Sequence, residues 1–359
     1  VSPQDSIALP EDAIDGWLIS ELVLELGYAY ATTSYRSNGL IIDGAIQDLL
    51  ELVDLFIAQH EQPVRIYLIG DSNGGLITAL SLERYADIYD GGISICAPLG
   101  SFRRQINHYC DVSVLFQSIF NTELQALDLD LGSPGRVPEQ TITRWEIVES
   151  QIEQILREHP EKLERLFKIL RIPNGGIEIT DVHIRNIVKL LRYNVMSTNN
   201  TREVFGSVPY DNFDRKFRGS GSIFKDWKMN RDIQRFRTPP AVVDRLKRDY
   251  KPTGRLTKPF ITLHNSDDPV VQYYQQILYR LRIFDRGSSQ YHINIPISRY
   301  GHCNIQRSEF LAALSILVSH SSKRDLIIPS AILPAKQEQT ALYSLAAGHG
   351  AAPRVTNPE

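Results

Sequence analysis

Hydrophobic and polar positions in the first hundred residues follow helix-like and strand-like patterns in turn. Apolar residues recur at helical spacing in three segments and predict amphipathic helices over 12–26, 41–59 and 75–86. A short apolar or aromatic run follows each helix and predicts strands over 28–35, 64–70 and 92–97. The run at 64–70 is largely apolar, as is typical of a strand buried on both faces. Successive helix and strand units predict a mostly parallel sheet flanked by helices, an α/β fold.

The pattern changes after residue 98 and returns after residue 258. Charged amphipathic helices are predicted over 144–159, 161–170 and 181–193. The alternation then resumes, with strands predicted over 259–265 and 290–295 and helices over 270–283 and 306–319. We therefore expect four parts, which are a first core segment, a helical insertion, a second core segment and a loosely held C-terminal tail, at 1–99, 100–253, 254–320 and 321–359.

Composition narrows the classes of protein to which the chain can belong. Of the 359 residues, 42% are hydrophobic and 23% are charged, as in ordinary globular proteins. Lys and Arg number 39 and Asp and Glu 42, which gives a net charge of −3 and no broad basic field for a nucleic-acid partner. No apolar run approaches the roughly 18 residues that a membrane span requires. The sequence does not indicate the cellular compartment.

A glycine-rich turn separates a predicted buried strand from a predicted helix. Residues 70–74 match G-x-S-x-G, and Gly75 follows. A sharp strand-to-helix turn strains its central residue, and flanking glycines remove side chains that would collide there. Ser72 would then project from the sheet as a nucleophile, and the Asn73 N–H could donate to an oxyanion. The alternative is an ordinary serine in a glycine turn.

A nucleophilic serine needs a histidine base, and the histidine needs a carboxylate to orient it. Asp267 and Asp268 follow the predicted strand 259–265, and His302 follows the next strand. Serine, acid and histidine therefore occur in the order that α/β enzymes with a nucleophilic serine use.

Three motifs together resemble the α/β-hydrolase superfamily. They are GDSNGG at 70–75, LHNSDDPVV at 263–271 and YGHC at 300–303. The segment YRSNG at 35–39 and parts of the insertion resemble uncharacterised bacterial and fungal members, and these supply no substrate.

The resemblance implies a nucleophile at Ser72, an acid at Asp268, a base at His302 and a cap formed by the insertion. In the family's H-G-x-x-D pattern the acid comes four residues after the histidine, here His264, with Asn265 where glycine is usual. This favours Asp268 over Asp267, which stays the alternative acid.

The leading hypothesis is a serine hydrolase that cleaves a small-molecule carboxylic ester through an acyl-enzyme. A peptidase or amidase acting on short peptides is the runner-up, and a catalytically impaired binding protein is the third reading. No cofactor is expected. Patterns such as H-x-x-H, H-E-x-x-H and paired cysteines are absent from the sequence, so no catalytic metal is expected either.

The three cysteines cannot all pair within the chain. Cys96 and Cys303 are interpreted as small buried packing residues, and Cys110 is left open to pairing. The aromatic residues late in the insertion are interpreted as its core rather than a pocket wall; they are Phe224, Trp227 and Phe236.

The resemblance also implies a strand before the helix 12–26, with a following loop that donates a second oxyanion N–H. Residues 1–11 contain no glycine and no buried-strand pattern. We therefore expect a gap in the sheet between 28–35 and 64–70, an N-terminally truncated chain and weak activity. This expectation fails if those two strands pair directly or if another segment fills the space.

Overall fold

The structure of the protein is a computed structural model. It describes residues 13–14, 16–37, 39, 42–176 and 178–356. The expectation for residues 1–11 and the predicted helix starts at 12 and 41 lie outside the described residues.

The first described elements are two short strands and a helix. Strands β1 (Ala13–Ile14) and β2 (Trp17–Leu18) pair antiparallel, and helix α1 (Ile19–Glu25) follows directly. The helix predicted over 12–26 is therefore wrong in its first half. Gly16 explains the difference, because its φ of +79° belongs to the left-handed region and forms a turn between the two strands.

The segment 28–35 is irregular, so the strand predicted there is wrong. Its alternating side chains fit a strand, but a strand also needs a neighbour to satisfy its backbone groups, and no ladder forms here. Tyr35, at its end, has a φ of +60°, outside the extended region. Helix α2 (Ile42–Gln59) follows.

A four-stranded parallel sheet forms the centre of the protein. The strands are β3 (Tyr67–Asp71), β4 (Gly91–Ile95), β5 (Phe260–Asp267) and β6 (His292–Tyr300), in that spatial order. Helix α3 (Ser72–Arg84) connects β3 to β4. Because all four strands run parallel, their carboxyl ends meet at one edge of the sheet.

The chain between β4 and β5 is largely helical. Its helices are α4 (Phe102–Ile119), α5 (Asn121–Ala126), α6 (Glu139–Thr143), α7 (Trp145–Glu158), α8 (Pro160–Leu170), α9 (Asp181–Phe205), α10 (Ile223–Asp232) and α11 (Pro240–Asp249). Helices α4 and α9 pack against each other, and the buried faces of both belong to one apolar cluster that also contains α3. The insertion therefore shares a hydrophobic core with the face of the sheet that α3 covers.

The interpretation of three late aromatic residues as core is wrong for two of them. Phe224 and Trp227, on α10, are 70% and 57% exposed. Phe236 is partly buried against the core, and its ring lies 5.6 Å from that of Tyr210.

Helices cover both faces of the sheet, as predicted. After β5 come α12 (Tyr274–Asp285), a 3-10 turn (Ser289–Tyr291), β6 and α13 (Arg307–Ser322). Alternate side chains along β4 and β5 pack towards α13; they are Ile93, Ile95, Ile261 and Leu263. Phe260, by contrast, belongs to the apolar cluster that contains α3. This period-two pattern is what separates the two faces.

The C-terminal segment is folded onto the protein, so the expected loosely held tail is wrong for residues 327–356. Strands β7 (Ile327–Pro329) and β8 (Arg354–Thr356) pair in parallel, and a 3-10 turn (Ser330–Ile332) and α14 (Lys336–Gly348) lie between them. Helix α14 packs on α13 through Leu342 and Ala346, which are fully buried. Small residues around this short apolar stripe weaken its helical signal in the sequence.

A large cavity follows the free edge of β3. Among the described strands β3 pairs only with β4, and neither 28–35 nor another described strand fills its other side. A cavity of about 1120 Å³ lies there. Its lining side chains come from both faces of the sheet, among them Tyr28, Ile69, Ile77 and Leu314. Because 28–35 is not a strand, this free edge is not the expected gap between two strands, and the expected truncation stays a prediction.

Within the described chain, no helix has both the length and the apolar character that crossing a bilayer requires.

Replacing Leu342 tests the packing of α14. We expect Leu342→Ala to lower the free energy of unfolding by roughly 2–5 kcal/mol, because a fully buried leucine leaves a cavity when it is truncated. Tyr343→Ala is the matched control, since Tyr343 is 39% exposed and its loss should change stability by less than about 0.5 kcal/mol. Urea unfolding measures both. Equal small effects would mean that α14 is not part of the cooperative fold.

Candidate active site

The turn between β3 and α3 presents Ser72 at the carboxyl edge of the sheet. Ser72 is the first residue of α3 and has a φ of +46°, the left-handed conformation expected of a strained strand-to-helix turn. Asn73 follows in the first helical turn, where backbone N–H groups lack helical partners. Both residues line the cavity along β3. Their placement fits a nucleophile and an oxyanion donor.

Two glycines make this turn sterically feasible. A Cβ on Gly70 would overlap the backbone of Gly74 and lie 2.8 Å from Thr78 Oγ1. A Cβ on Gly75 would overlap Ser94 Oγ on β4, so Gly75 lets α3 approach the sheet closely. Gly74 differs, because its nearest neighbour would be 3.8 Å away. The expectation that both flanking glycines of the motif avoid collisions is therefore correct for Gly70 and wrong for Gly74, and Gly75 takes that role.

The structure brings Ser72, His302 and Asp268 together. His302 Nε2 lies 3.1 Å from Ser72 Oγ, and His302 Nδ1 lies 2.7 Å from Asp268 Oδ2. A carboxylate only accepts, so Nδ1 carries the proton and Nε2 presents its lone pair to the serine hydroxyl. Three residues from distant parts of the chain thus form a continuous hydrogen-bonded chain at one edge of the sheet.

Asp268 is buried and held in one orientation. Its Oδ1 accepts hydrogen bonds from the backbone N–H groups of Val270 and Val271 at 2.8 and 2.9 Å. Burial opposes ionisation of this carboxyl, but the electrostatic interaction with His302 and hydrogen bonds from His264 and His302 outweigh it and lower the pKa of Asp268 to about 2. The carboxylate is therefore ionised at neutral pH, as the orientation of His302 requires.

Asp267, the alternative acid, does not contact His302 in the described structure. Its carboxylate accepts from Ser266 Oγ at 3.3 Å, and its backbone oxygen accepts from the Gly301 N–H at 3.3 Å. The side chain of Asp267 alternates with that of Asp268 about the end of β5, which explains why only one of the two reaches the histidine.

In the sequence, His264 served only as the motif histidine from which the acid is counted, and its position beneath the acid loop was not predicted. His264 Nε2 donates to the Val271 carbonyl at 2.6 Å and lies 3.5 Å from Asp268 Oδ2. Its Nδ1 accepts from Gln276 Nε2 at 2.9 Å, which fixes the tautomer. His264 and Gln276 are both fully buried, so this pair holds the loop around Asp268.

A second missed group holds the histidine loop. Asn265 donates from Nδ2 to the Asn304 carbonyl at 2.9 Å and accepts from the Asn304 N–H at 3.0 Å. Arg299 also donates to the Asn304 carbonyl, at 2.7 Å, and forms a two-fold ion pair with Glu309 at 3.0 Å. Asn265 stands where the family usually has glycine, and this difference was the feature of the sequence that could have indicated its structural role.

Cys96 and Cys303 form a disulfide next to His302, which corrects their interpretation as unpaired packing residues. Their Cα atoms are 5.4 Å apart, although 207 residues separate them in the chain. The carboxyl end of β4 and the histidine loop meet at this edge of the sheet, which the sequence alone does not show. Cys110 is buried and free.

The positions of Ser72, Asp268 and His302 on the sheet identify the fold. The serine lies at the strand-to-helix turn after β3, the acid follows β5 and the histidine follows β6 of one parallel sheet. The chain has an α/β-hydrolase fold. Its largely helical insertion lies between β4 and β5, and its role as a cap stays a prediction.

Comparisons with known proteins find similar structures and no similar sequence. No protein-family profile matches the chain, and no curated protein matches it. Among solved structures it is similar to the acylaminoacyl peptidase of Pyrococcus horikoshii, with 12% identity, a TM-score of 0.33 and coverage of 72% of this chain and 24% of that one.

Two further similar structures are hydrolases of different kinds. A 2-hydroxy-6-oxo-6-phenylhexa-2,4-dienoate hydrolase from Rhodococcus sp. strain RHA1 has 11% identity and a TM-score of 0.32, with 79% of this chain and 71% of that one covered. Esterase E22 has 10% identity and a TM-score of 0.35, with coverage of 85% and 66%. Similarities this distant identify no substrate. The α/β-hydrolase fold follows from the parallel sheet and from the positions of Ser72, Asp268 and His302 at its carboxyl edge.

Alanine substitutions in the turn test its packing. We expect Gly70→Ala and Gly75→Ala each to lower the free energy of unfolding by about 1–3 kcal/mol or more, because an added methyl group overlaps atoms that cannot move aside. Gly74→Ala is the matched control and should be neutral or stabilising, since it has space and alanine favours a helix. Urea unfolding reports all three. A destabilised Gly74→Ala beside a tolerated Gly75→Ala would contradict this geometry.

Substitution of each aspartate separates the two candidate acids. We expect Asp268→Asn to slow the attack of Ser72 Oγ on a fluorophosphonate, which releases fluoride, by roughly 10⁴-fold, because the amide no longer stabilises an imidazolium and favours the wrong tautomer. Asp267→Asn should change the rate by no more than a few-fold. The rate of labelling by a fluorophosphonate measures this step directly. The assignment is wrong if the two effects are reversed.

Proposed function

We propose that the protein is a serine hydrolase that cleaves a carboxylic ester through an acyl-enzyme. The observation that carries the proposal is the hydrogen-bonded chain from Ser72 Oγ through His302 to Asp268, with distances of 3.1 and 2.7 Å. A free serine hydroxyl is a weak nucleophile, and an adjacent imidazole of the correct tautomer is what activates it.

In acylation, Ser72 Oγ bonds to the ester carbonyl carbon while its proton passes to His302 Nε2. The carbonyl oxygen becomes an oxyanion, to which the Asn73 N–H donates, and the ionised Asp268 stabilises the imidazolium. The bond to the alcohol oxygen then breaks, and His302 returns its proton to that oxygen. The alcohol leaves and the acyl group stays on Ser72.

In deacylation, His302 Nε2 takes a proton from water as the water oxygen bonds to the acyl carbon. The same oxyanion donor acts again, the bond to Ser72 Oγ breaks, and His302 protonates the released serine. The carboxylic acid leaves. Each step uses the same nitrogen, so anything that occupies Nε2 stops both halves of the reaction.

The apolar part of the cavity lining supports an ester with a large apolar acyl or alcohol group, while Arg65 and Asp71 add charge to the same lining. Besides Ser72 and Asn73, many lining side chains are apolar or aromatic, among them Leu49, Val53, Phe56, Phe102, Ile106, Tyr109, Tyr193 and Met196. Apolar ligand surface is favourably removed from water in such a site, while a few polar groups set its orientation. The volume of about 1120 Å³ accommodates a bulky ester.

Labelling by a fluorophosphonate tests the proposal. We expect the folded protein to be labelled at Ser72 and to hydrolyse small aryl esters, with both lost in Ser72→Ala, because Ser72 is the hydroxyl next to His302 Nε2. Ser197→Ala is the matched control, since Ser197 lines the same cavity but donates to the Tyr193 carbonyl at 2.6 Å. Intact-protein mass spectrometry and ester turnover give the readouts.

Three outcomes separate the readings. Labelling with turnover of esters and not of peptide anilides supports the esterase, and turnover of peptide anilides instead points to a peptidase. Absence of labelling in a protein that shows a cooperative unfolding transition overturns the hydrolase proposal and leaves a binding protein.

A further inference from the structure

Two cysteines and the candidate catalytic histidine converge next to Ser72. Cys96 follows β4, Cys303 follows His302, and the two form a disulfide. Cys303 Sγ lies 3.5 Å from His302 Nε2, and one ligand atom from each of the three residues lies within 4.8 Å of the others. This is the one such cluster of metal-ligating groups among the residues that the structure describes.

Two thiolates and an imidazole are a ligand set that Zn²⁺ prefers. With bond lengths of about 2.3 Å to sulfur and 2.0–2.1 Å to nitrogen, tetrahedral ligand atoms lie roughly 3.5–3.8 Å apart. The distance of 3.5 Å between Cys303 Sγ and His302 Nε2 already meets this requirement. Once the sulfur atoms are no longer bonded, rotation about their side-chain bonds can separate them to the same distance, because the Cα atoms stay 5.4 Å apart.

His302 is oriented as metal-bound histidines are. Its Nδ1 donates to Asp268 at 2.7 Å, which leaves the lone pair on Nε2, the nitrogen that faces both Cys303 and Ser72. Carboxylates that accept from the second nitrogen fix the tautomer of zinc-bound histidines in the same way. Ser72 Oγ, 3.1 Å from Nε2, or a water would complete four-fold coordination.

We propose that the reduced protein binds a thiophilic divalent cation, Zn²⁺, through Cys96 Sγ, Cys303 Sγ and His302 Nε2. Both thiols lose a proton on binding, so two thiolate charges balance the charge of the cation. The bound cation takes the lone pair that would activate Ser72. Hydrolysis therefore stops in the reduced, zinc-bound protein, and this consequence, unlike the binding itself, rests on the proposed function.

A dithiol reductant opens the site. One of its thiolates attacks the sulfur of Cys303, which is only partly buried, and Cys96, which is fully buried, leaves as a thiolate. The second thiol of the reductant then displaces Cys303 and closes a cyclic disulfide. The reductant loses two electrons and two protons, and the two cysteines gain them as thiols.

Metal binding is tested with Co²⁺ as a spectroscopic probe. The protein is reduced with dithiothreitol, desalted without oxygen and titrated with Co²⁺, and Zn²⁺ is then added. We expect one equivalent of Co²⁺ with thiolate charge-transfer absorption, which Zn²⁺ abolishes. The oxidised protein should show no such absorption, because a disulfide offers no thiolate. This comparison uses one polypeptide and requires no variant to fold.

Variants locate the ligands. The Cys96→Ser/Cys303→Ser double variant should lose the charge-transfer absorption, and Asp268→Asn should bind roughly 10- to 100-fold more weakly. Cys110→Ala is the matched control and should bind as the reduced parent does, since Cys110 lies outside the cluster. Ser72→Ala should keep the absorption, which separates the metal site from the proposed hydrolase activity.

The outcomes decide the two proposals separately. Absence of thiolate-bound Co²⁺ in the reduced protein, or its persistence in the double cysteine variant, overturns the metal site even if esters are hydrolysed. If bound Zn²⁺ protects Cys303 from an alkylating reagent, as measured by mass spectrometry, the result supports the metal site independently of any activity. If esters are hydrolysed, Zn²⁺ should inhibit only the reduced protein, and a chelator should reverse the inhibition.

Discussion

The hydrogen bond between Asp268 Oδ2 and His302 Nδ1, 2.7 Å long, is the interaction on which both proposed chemistries depend. It leaves the lone pair of the imidazole on Nε2, where a serine hydroxyl and a cysteine sulfur both lie within 3.5 Å. Asp268 can hold this position because two backbone N–H groups fix its other oxygen. A proton acceptor and a metal ligand are therefore alternative uses of one oriented nitrogen.

The sheet brings these groups together from distant parts of the chain. Ser72 follows β3, Cys96 follows β4, Asp268 follows β5 and His302 follows β6, and parallel strands end at the same edge. The helical insertion lengthens the chain between the second and third of these strands without altering their register. The disulfide joins the segments that follow β4 and β6, which lie on either side of β5. It can form because the loop after β6 brings Cys303 to within 5.4 Å of Cys96, Cα to Cα, at this edge of the sheet.

The free edge of β3 shapes the cavity that Ser72 faces. Among the described strands β3 has one neighbour, so backbone groups along its other side turn towards the cavity rather than towards a ladder. Apolar side chains from both faces of the sheet complete the lining. The site thus combines an apolar wall with a polar strand edge, next to the turn that carries the serine.

Much of this arrangement was predictable because it rests on local chemistry. Gly70 marks a turn that only glycine fits, the apolar runs mark buried strands, and the order of Ser72, Asp268 and His302 follows the strand order. Predictions from local sequence pattern failed where contact with another segment of the chain decides the structure. Residues 28–35 alternate like a strand but have no ladder, and α14 folds because α13 offers an apolar face.

The sequence by itself determined the sheet, its connecting helices and the residue types at the site, since periodicity and turn chemistry act between near neighbours in the chain. The spacing from His264 already favoured Asp268 over Asp267. Only the tertiary structure decided that Cys96 pairs with Cys303, and that His264 and Asn265 support the two loops. Those choices depend on distances between segments far apart in sequence, and no local pattern encodes such distances.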